Sequence, residues 1–418
     1  MNSVNSSAQP GAVAIERGRM TGALLVFVMG LLGISYTFNA LDRHVFPALL
    51  GGIRTTYGLT LAQAGFVSTV FTVNIALFGA LSGWFLKRFS RKSILVGGLA
   101  GYSLFTIATP LAQGFLSLAA SRALTGVGEA LQITAMYSCL GSYFGKKRGA
   151  AMGVMLAFYG LGALAGPVIG TRLNELLGSW QLPFYIFGVT GIVVAIAVAF
   201  LLPSYFTEAR ETWIAERESP LTGHIANKPR VFNRNVCLGS VSFSMVGLSL
   251  FSYLGLYTAY LHDHLGYSPV TAGTALGAYG VGAMGAAIGG WAGDRLGRKG
   301  MFAALLILVV VGFLLFNSAA SPIMSDVLSF AFGLMISGYC YARFVSVIQR
   351  SAHPDLIEYA VSIAMASFYL SGPFAGFLFG KLASIWGWST AANLLVVAPP
   401  CVAIVLMCFF DFSKLRNA

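Results

Sequence analysis

Long apolar runs, separated by short polar segments, occupy almost the whole chain. Twelve of these runs are close to 20 residues or longer, about the length that a helix needs to cross a hydrocarbon core of about 30 Å. Backbone polar groups in hydrocarbon must be satisfied within their own segment, so we expect every run to be a helix. The runs cover residues 21–52, 61–86, 93–114, 117–141, 150–172, 181–203, 236–261, 269–293, 301–318, 323–348, 357–381 and 386–410.

Two motifs occur once in each half of the chain, at nearly the same spacing. Residues 83–92 read GWFLKRFSRK, and residues 290–299, 207 positions later, read GWAGDRLGRK. The Gly166-Pro167 pair recurs as Gly372-Pro373, 206 positions later. Two unrelated motifs that share one offset indicate that the halves are copies of one unit.

The predicted fold class is an all-α membrane protein with twelve transmembrane helices in two pseudo-symmetric six-helix bundles. A duplicated unit of this kind is typical of transporters in which one half rocks against the other around a midplane cavity. The predicted divisions are a cytoplasmic tail (1–20), an N-terminal bundle (21–203), a cytoplasmic linker (204–235), a C-terminal bundle (236–411) and a cytoplasmic tail (412–418).

Composition and charge support a place in the lipid bilayer. Hydrophobic residues make up 57% of the chain and charged residues 10%, too few charges to cover a water-soluble surface. The net charge is +12, but in a twelve-span topology the basic residues concentrate on the side of both termini, with Arg54, Arg172 and Lys381 on the other side. By the positive-inside rule, both termini are expected in the cytoplasm, and the membrane is expected to be the bacterial inner membrane. The basic excess is therefore a topology signal and argues against nucleic acid as a partner.

The cysteines and histidines indicate neither a metal site nor an enzyme. The five cysteines lie in or at the ends of apolar runs without ligand-like spacing, and the five histidines are scattered along the chain. We expect no disulfide framework, no metal site and no convergent set of catalytic groups.

Two carboxylates, Asp42 in run 1 and Glu129 in run 4, lie well inside the apolar runs. A charge near the bilayer centre costs roughly 2.5 kcal/mol or more on insertion scales, so both are functional candidates. Arg43 follows Asp42, and Arg122 precedes Glu129 by seven residues, two helical turns, which places both on one helix face. We expect these four charges to line one polar cavity with alternating sign. They are either a static ion-pair network that joins runs 1 and 4, or a proton-coupling site whose carboxylates load and unload protons as access changes.

The second half supplies candidates for the opposite wall of the cavity. Tyr253 and Tyr257 share a helix face in run 7, and Tyr279 and Tyr339 lie in runs 8 and 10. Tyrosines can stack on a ligand or hydrogen-bond to it, or they can simply pack. Arg343 in run 10 suits a carboxylate, or else its side chain extends to the cytoplasmic interface.

The loop motif carries a resemblance to a known family. Residues 290–299 match G-x-x-x-D-R-x-G-R-K, and the position of this motif after runs 2 and 8 resembles the major facilitator superfamily. In that superfamily the acidic residue helps to close the cytoplasmic gate. Here Lys87 replaces it in the first copy, so we expect Lys87 to pair with Asp355 or Glu358 before run 11; independent solvated charges are the alternative. The residues assigned to gating are Lys87, Arg88, Asp294, Arg295, Arg298, Asp355 and Glu358.

A second resemblance points to a mechanism. Asn39-x-x-Asp42-Arg43 together with Gly128-Glu129 resembles the proton-coupled organic-anion symporters and the spinster-type lipid carriers. The resemblance implies that Asp42 and Glu129 act in proton coupling and that Arg43 contacts an acidic substrate. The substrate-binding candidates are Asn39, Arg43, Arg122, Tyr253, Tyr257, Tyr279, Tyr339 and Arg343.

The expected function is proton-coupled symport of a small organic anion, a carboxylate, by alternating access. The expected state is a monomer, with protons as the coupling ion and no other cofactor. One alternative is a proton-coupled exporter of amphiphiles, lysolipids or drugs, because residues 162–170 resemble the glycine-proline motif of drug antiporters. A sensor without transport activity, built on the same fold, is a second alternative. Flux in proteoliposomes separates a carrier from a sensor.

Overall fold

All twelve predicted helices are present. The computed structural model describes residues 22–144, 148–208, 231–318, 321–353 and 356–415. In the first half, the helices are α1 (Gly22–Ala48), α2 (Leu61–Arg88), α3 (Arg91–Ala108), α4 (Phe115–Phe144), α5 (Arg148–Leu177) and α6 (Gln181–Leu201). In the second half, they are α7 (Arg234–Asp263), α8 (Pro269–Ala283, followed by a helical segment that begins at Ala286), α9 (Arg295–Asn317), α10 (Pro322–Ser351), α11 (Ile357–Trp386) and α12 (Trp388–Cys408).

Ten helices in the described part of the chain are long and apolar enough to cross a membrane. The other two of the twelve are α4, which contains Arg122 and Glu129, and α8, which is interrupted after Ala283. The predicted tail 1–20 and most of the predicted linker, residues 209–230, lie outside the described residues, as do residues 416–418. The domain boundaries therefore stay predictions.

Helix α1 ends earlier than the apolar run that predicts it. The run extends to residue 52, but α1 ends at Ala48 and a short helix, Leu50–Tyr57, follows. Pro47 lacks a backbone N–H, so the last turn of α1 loses one hydrogen bond of the helix ladder. The break, at Leu49, lies five residues after His44.

The two bundles meet through glycine crossings. Where α2 crosses α11, a Cβ at Gly65 would collide with the carbonyl group of Gly376, and a Cβ at Gly376 would collide with that of Gly65. Where α5 crosses α8, a Cβ at Gly280 would collide with the backbone of Ala163 and Leu164. Small residues let backbones approach this closely in membranes. The same kind of contact thus joins the halves on both sides of the molecule.

We call the face that holds the start of α1 and the end of α12 the termini face, and the opposite one the distal face. Near the distal face the Thr258 hydroxyl of α7 donates a hydrogen bond to the Pro47 carbonyl oxygen. Arg54, in the short helix after α1, forms an ion pair with Asp263 at the end of α7. Both contacts join the two bundles near the distal face.

Candidate functional site

Two ion pairs cross between α1 and α4. Arg122 Nη1 lies 2.9 Å from Asp42 Oδ2, and Arg43 Nε lies 2.6 Å from Glu129 Oε2. Thr106 of α3 donates a 2.5 Å hydrogen bond to the other Asp42 oxygen. Neighbours on α1 thus meet residues two turns apart on α4, and each charge has an opposite charge beside it.

These four side chains are almost completely buried but are not saturated with hydrogen bonds. The exposed fractions are 2% for Asp42, 6% for Arg43 and 0% for both Arg122 and Glu129. Glu129 Oε1, Arg43 Nη2 and two nitrogens of Arg122 have no hydrogen-bond partner among the described residues. A buried ion pair needs its remaining donors and acceptors satisfied to offset the cost of desolvation. The network therefore has spare bonding capacity for a proton, water or a ligand.

A line of amide hydrogen bonds extends the contact between α1 and α4. Asn39 Nδ2 donates to Gln132 Oε1 at 2.7 Å, and Gln132 Nε2 donates to the Ser35 carbonyl oxygen at 3.0 Å. The sequence analysis missed Gln132, although its position three residues after Glu129 places both on one helix face. These bonds fix the rotation of α4 relative to α1.

Gly128 lets α4 lie against α3. A Cβ at Gly128 would stand 2.5 Å from the Gly98 carbonyl oxygen and 2.6 Å from the Tyr102 nitrogen. Any side chain at this position would push α3 away from α4. Because Thr106 of α3 must reach Asp42, the glycine beside Glu129 has a direct role in assembling the site.

A cavity of about 110 Å³ lies between the bundles. At roughly 10–15 Å³ for each water, it has room for several waters or a small organic ligand. Among the described residues its wall is largely apolar and aromatic, with Phe71, Leu250, Phe251 and Phe368, and its polar part includes Arg43 and His44 of α1.

Of the four charged residues, Arg43 is the one that lines this cavity within the described chain. Asp42, Arg122 and Glu129 lie behind it, between the helices of the N-terminal bundle. The prediction that all four charges line one cavity is therefore wrong for Asp42, Arg122 and Glu129. Glu129 lies behind Arg43 and bonds to it. Asp42 and Arg43 differ in this respect because adjacent residues on a helix point in directions about 100° apart.

The tyrosine candidates of the second half divide into two groups. Tyr279 lines the cavity, and its hydroxyl lies 2.7 Å from Ser337 Oγ in a π-helical stretch of α10, Leu334–Cys340. Tyr253 and Tyr257 stack on each other with ring centroids 4.7 Å apart and lie behind the wall. Tyr339 and Arg343 are buried as well, and neither is among the residues that line the cavity.

Other tyrosines line the cavity in their place. The sequence analysis did not single them out, although Tyr36 lies seven residues, two turns, before Arg43 on α1. Tyr36 and Tyr137 are joined through their hydroxyls at 3.3 Å. Besides Tyr279, the tyrosines that line the cavity are Tyr36, Tyr137, Tyr159, Tyr341 and Tyr369.

The gating candidates lie at the termini face. Lys87 and Arg88 are exposed at the end of α2, and the Arg88 guanidinium lies 4.9 Å from the Trp84 ring centroid. Arg295 is exposed at the start of α9, and the Arg298 guanidinium lies over the Phe302 ring at 5.5 Å. The side chains of Asp294 and Glu358 and the whole of Asp355 lie outside the described residues. Pairing of Lys87 with Asp355 or Glu358 stays a prediction.

Several curated relatives of the chain are named as transporters. The chain is 26% identical over 242 residues to the sphingosine-1-phosphate transporter SPNS2 of Xenopus tropicalis, an alignment that covers 56% of this chain and 46% of the relative. It is 26% identical over 319 residues to the hexuronate transporter of Bacillus subtilis (strain 168), with 73% and 72% covered. The chain thus spans about half the length of the SPNS2 relatives.

A solved structure shows the same fold over almost the whole chain. It is that of a bacterial homologue of the human lysosomal transporter Spinster in an inward-facing and occupied conformation, with a TM-score of 0.72. The two chains are 17% identical, and 95% of this chain and 100% of that chain are covered. This likeness confirms the predicted fold class of twelve helices in two bundles.

The family itself is shown by a family model. Residues 32–375 match the model of the Major Facilitator Superfamily, a range that begins within α1 and ends within α11. The match thus contains the crossed ion pairs, the cavity wall and both copies of the loop motif. The chain belongs to the major facilitator superfamily.

Proposed function

We propose that the protein is a secondary transporter that carries a small organic anion together with protons by alternating access. The observation that carries this proposal is the position of Arg43, which lines the cavity and bonds through Nε to the fully buried Glu129. A guanidinium suits a carboxylate because it offers several donors in a planar fork. The proposed orientation has both termini in the cytoplasm of a bacterial cell.

The geometry suggests how proton and anion binding are coupled. With Glu129 ionised, its charge balances that of Arg43, and the guanidinium has little net attraction for a second anion. A proton on Glu129 removes that balance and leaves Arg43 available to a substrate carboxylate. Each binding event then favours the other, since coupling free energy is reciprocal. Asp42 and Arg122 form the second pair, which a second proton can break in the same way.

A substitution of Glu129 tests this coupling. Glu129→Gln removes the proton site but keeps the size of the side chain and an oxygen that can bond to Arg43. We expect accumulation driven by an inward proton gradient to be abolished in proteoliposomes, while exchange of labelled for unlabelled substrate continues. Both activities are measured with one radiolabelled carboxylate on the same preparation.

Glu175→Gln is the matched control, because Glu175 is an exposed carboxylate on α5. It is expected to accumulate substrate like the unmodified protein. Intact accumulation in Glu129→Gln would remove Glu129 from the coupling mechanism.

An exporter of amphiphiles exchanged for protons is the second candidate. The apolar and aromatic part of the cavity wall favours it, since such a wall suits a lipid chain. The relatives named as sphingosine-1-phosphate transporters are in agreement with it. In the exchange assay, a lysolipid that competes better than small carboxylates would favour the exporter.

A further inference from the structure

His44 is a buried cavity residue with one ring nitrogen that has no partner. It is 1% exposed and lines the cavity beside Arg43. Its Nδ1 lies 2.7 Å from the Ala40 carbonyl oxygen, one turn earlier on α1. A carbonyl oxygen only accepts, so Nδ1 carries a proton, and the neutral ring presents the lone pair of Nε2. Nε2 has no hydrogen-bond partner among the described residues.

Two tyrosines fix the plane of this ring. Tyr279 of the opposite bundle stacks on it with ring centroids 5.8 Å apart, and Tyr159 of α5 meets it edge-on at 5.9 Å. Together with the bond to Ala40, these contacts define where Nε2 points. A preorganised acceptor of this kind discriminates between ligands, because an unpaired buried polar group is costly.

We propose that His44 is a specificity-determining residue whose Nε2 accepts a hydrogen bond from a hydroxyl or N–H group of the transported acid. Arg43 holds the carboxylate, the aromatic wall holds the apolar part, and His44 selects acids that carry a donor. The substrate class is therefore a hydroxylated or similarly donor-bearing carboxylate. This inference rests on the proposed function and makes it more specific.

Matched acids provide the first test. Binding of benzoate, 3-hydroxybenzoate, 4-hydroxybenzoate and 3-methoxybenzoate is measured with the purified protein, and 3-hydroxybutyrate is compared with butyrate. We expect at least one hydroxylated acid to bind roughly 10-fold more tightly than its parent, in accordance with the cost of leaving a buried acceptor unpaired. The methoxy acid keeps the oxygen but lacks the donor, so it should bind no better than benzoate.

Substitution of His44 provides the second test. His44→Phe keeps a ring that can stack on Tyr279 but has no acceptor. The ratio of the affinities for the hydroxylated acid and its parent should therefore fall to about one, because the hydroxylated acid alone binds more weakly. His264→Phe is the control, because His264 also stacks on a tyrosine, Tyr260, but is exposed near the distal face. It should keep the preference.

The possible failures are distinguishable. If the unmodified protein binds none of the acids, this inference fails, while the proposed function is decided separately by the accumulation assay with Glu129→Gln. If it binds acids but no hydroxylated acid better than its parent, or if His44→Phe keeps the preference, only the role of His44 is overturned. The comparison within the unmodified protein remains decisive even where His44→Phe does not fold.

Discussion

The buried charges of α1 and α4 balance one another in pairs, and each pair has a different setting. Asp42 and Arg122 are enclosed in the N-terminal bundle, where Thr106 also bonds to Asp42 and the Arg122 guanidinium lies 4.9 Å from the Phe46 ring centroid. Arg43 instead faces the cavity while it bonds to Glu129. The enclosed pair therefore contributes more to the stability of the bundle, and the pair at the cavity is better placed to exchange with a ligand.

The enclosed pair should matter strongly for stability. Removal of one member of a buried pair leaves an uncompensated charge and costs about 3–5 kcal/mol, whereas removal of both costs less. We expect Arg122→Met to lower the thermal unfolding temperature markedly in detergent, and the double variant Asp42→Leu with Arg122→Met to recover part of that loss. Thermal unfolding followed by tryptophan fluorescence measures both.

Lys414→Met is the control for that comparison, because Lys414 forms an exposed pair with Asp411 at 3.3 Å. Exposed pairs of this kind contribute little to stability, so little change is expected. A double variant no more stable than Arg122→Met would show that the unpaired charge is not the source of the loss.

Among the helices, the crossings of α2 with α11 and of α5 with α8 hold the bundles together. Both crossings depend on backbone contact at glycines, so their geometry tolerates no added side chain without a shift of a whole helix. Rocking of one bundle on the other must change these crossings, because they lie between the halves. The break in α8 after Ala283 and the π-helical stretch of α10 both lie beside the cavity. Local departures from α-helical geometry often occur at functional sites.

A bulky residue at the α2–α11 crossing should prevent distal closure. In Gly376→Val the added side chain would overlap with the backbone of Gly65, so we expect the halves to separate on that side and transport to fall at least 10-fold. A cysteine in place of Thr258, in a variant without the native cysteines, should then react faster with an impermeant thiol reagent added at the distal face.

Gly79→Val is the matched control on α2, since a Cβ at Gly79 meets nothing within 4 Å. It should leave labelling at position 258 unchanged. Equal labelling of the Gly376→Val and Gly79→Val proteins would contradict a closing role for this crossing.

In the whole molecule, α7 joins the distal ends of the two bundles through its contacts with α1 and with the short helix that follows α1. The Thr258 hydroxyl meets the carbonyl oxygen of Pro47, and Arg54 meets Asp263. Pro47 lies three residues beyond His44, and both residues line the cavity. One short segment of α1 thus carries both the distal contact and part of the cavity wall.

The Arg54–Asp263 pair should bias the closed state modestly. Its side chains are 24% and 29% exposed, so the pair contributes about 0.2–1 kcal/mol, which corresponds to a shift of up to about fivefold in the balance of conformations. We expect Arg54→Asp to increase distal thiol labelling at position 258 by that factor, and Asp263→Arg in the same protein to restore it. No recovery in the double variant would exclude this pair as a lock.

Sequence reasoning succeeded with features that depend on one helix or on spacing along it. Hydrocarbon forces each long apolar run into a helix, so the number and order of the helices follow from the chain alone. The seven-residue spacing of Arg122 and Glu129 places both on one face, and the structure brings Asp42 and Arg43 to that face. The end of α1 was the exception, because the apolar run continues past Pro47 although proline is itself a signal for a helix break.

Tertiary structure alone settled which side chains face the cavity. Membrane helices are apolar nearly all round, so their sequences do not show which face turns inward, and packing against neighbours sets that rotation. This rotation places Arg43 and His44 at the cavity but Asp42 behind it, and Tyr279 at the cavity but Tyr253 behind it. The free nitrogen of His44 becomes visible once the Ala40 carbonyl oxygen, Tyr159 and Tyr279 surround its ring, and those neighbours come together only in the folded chain.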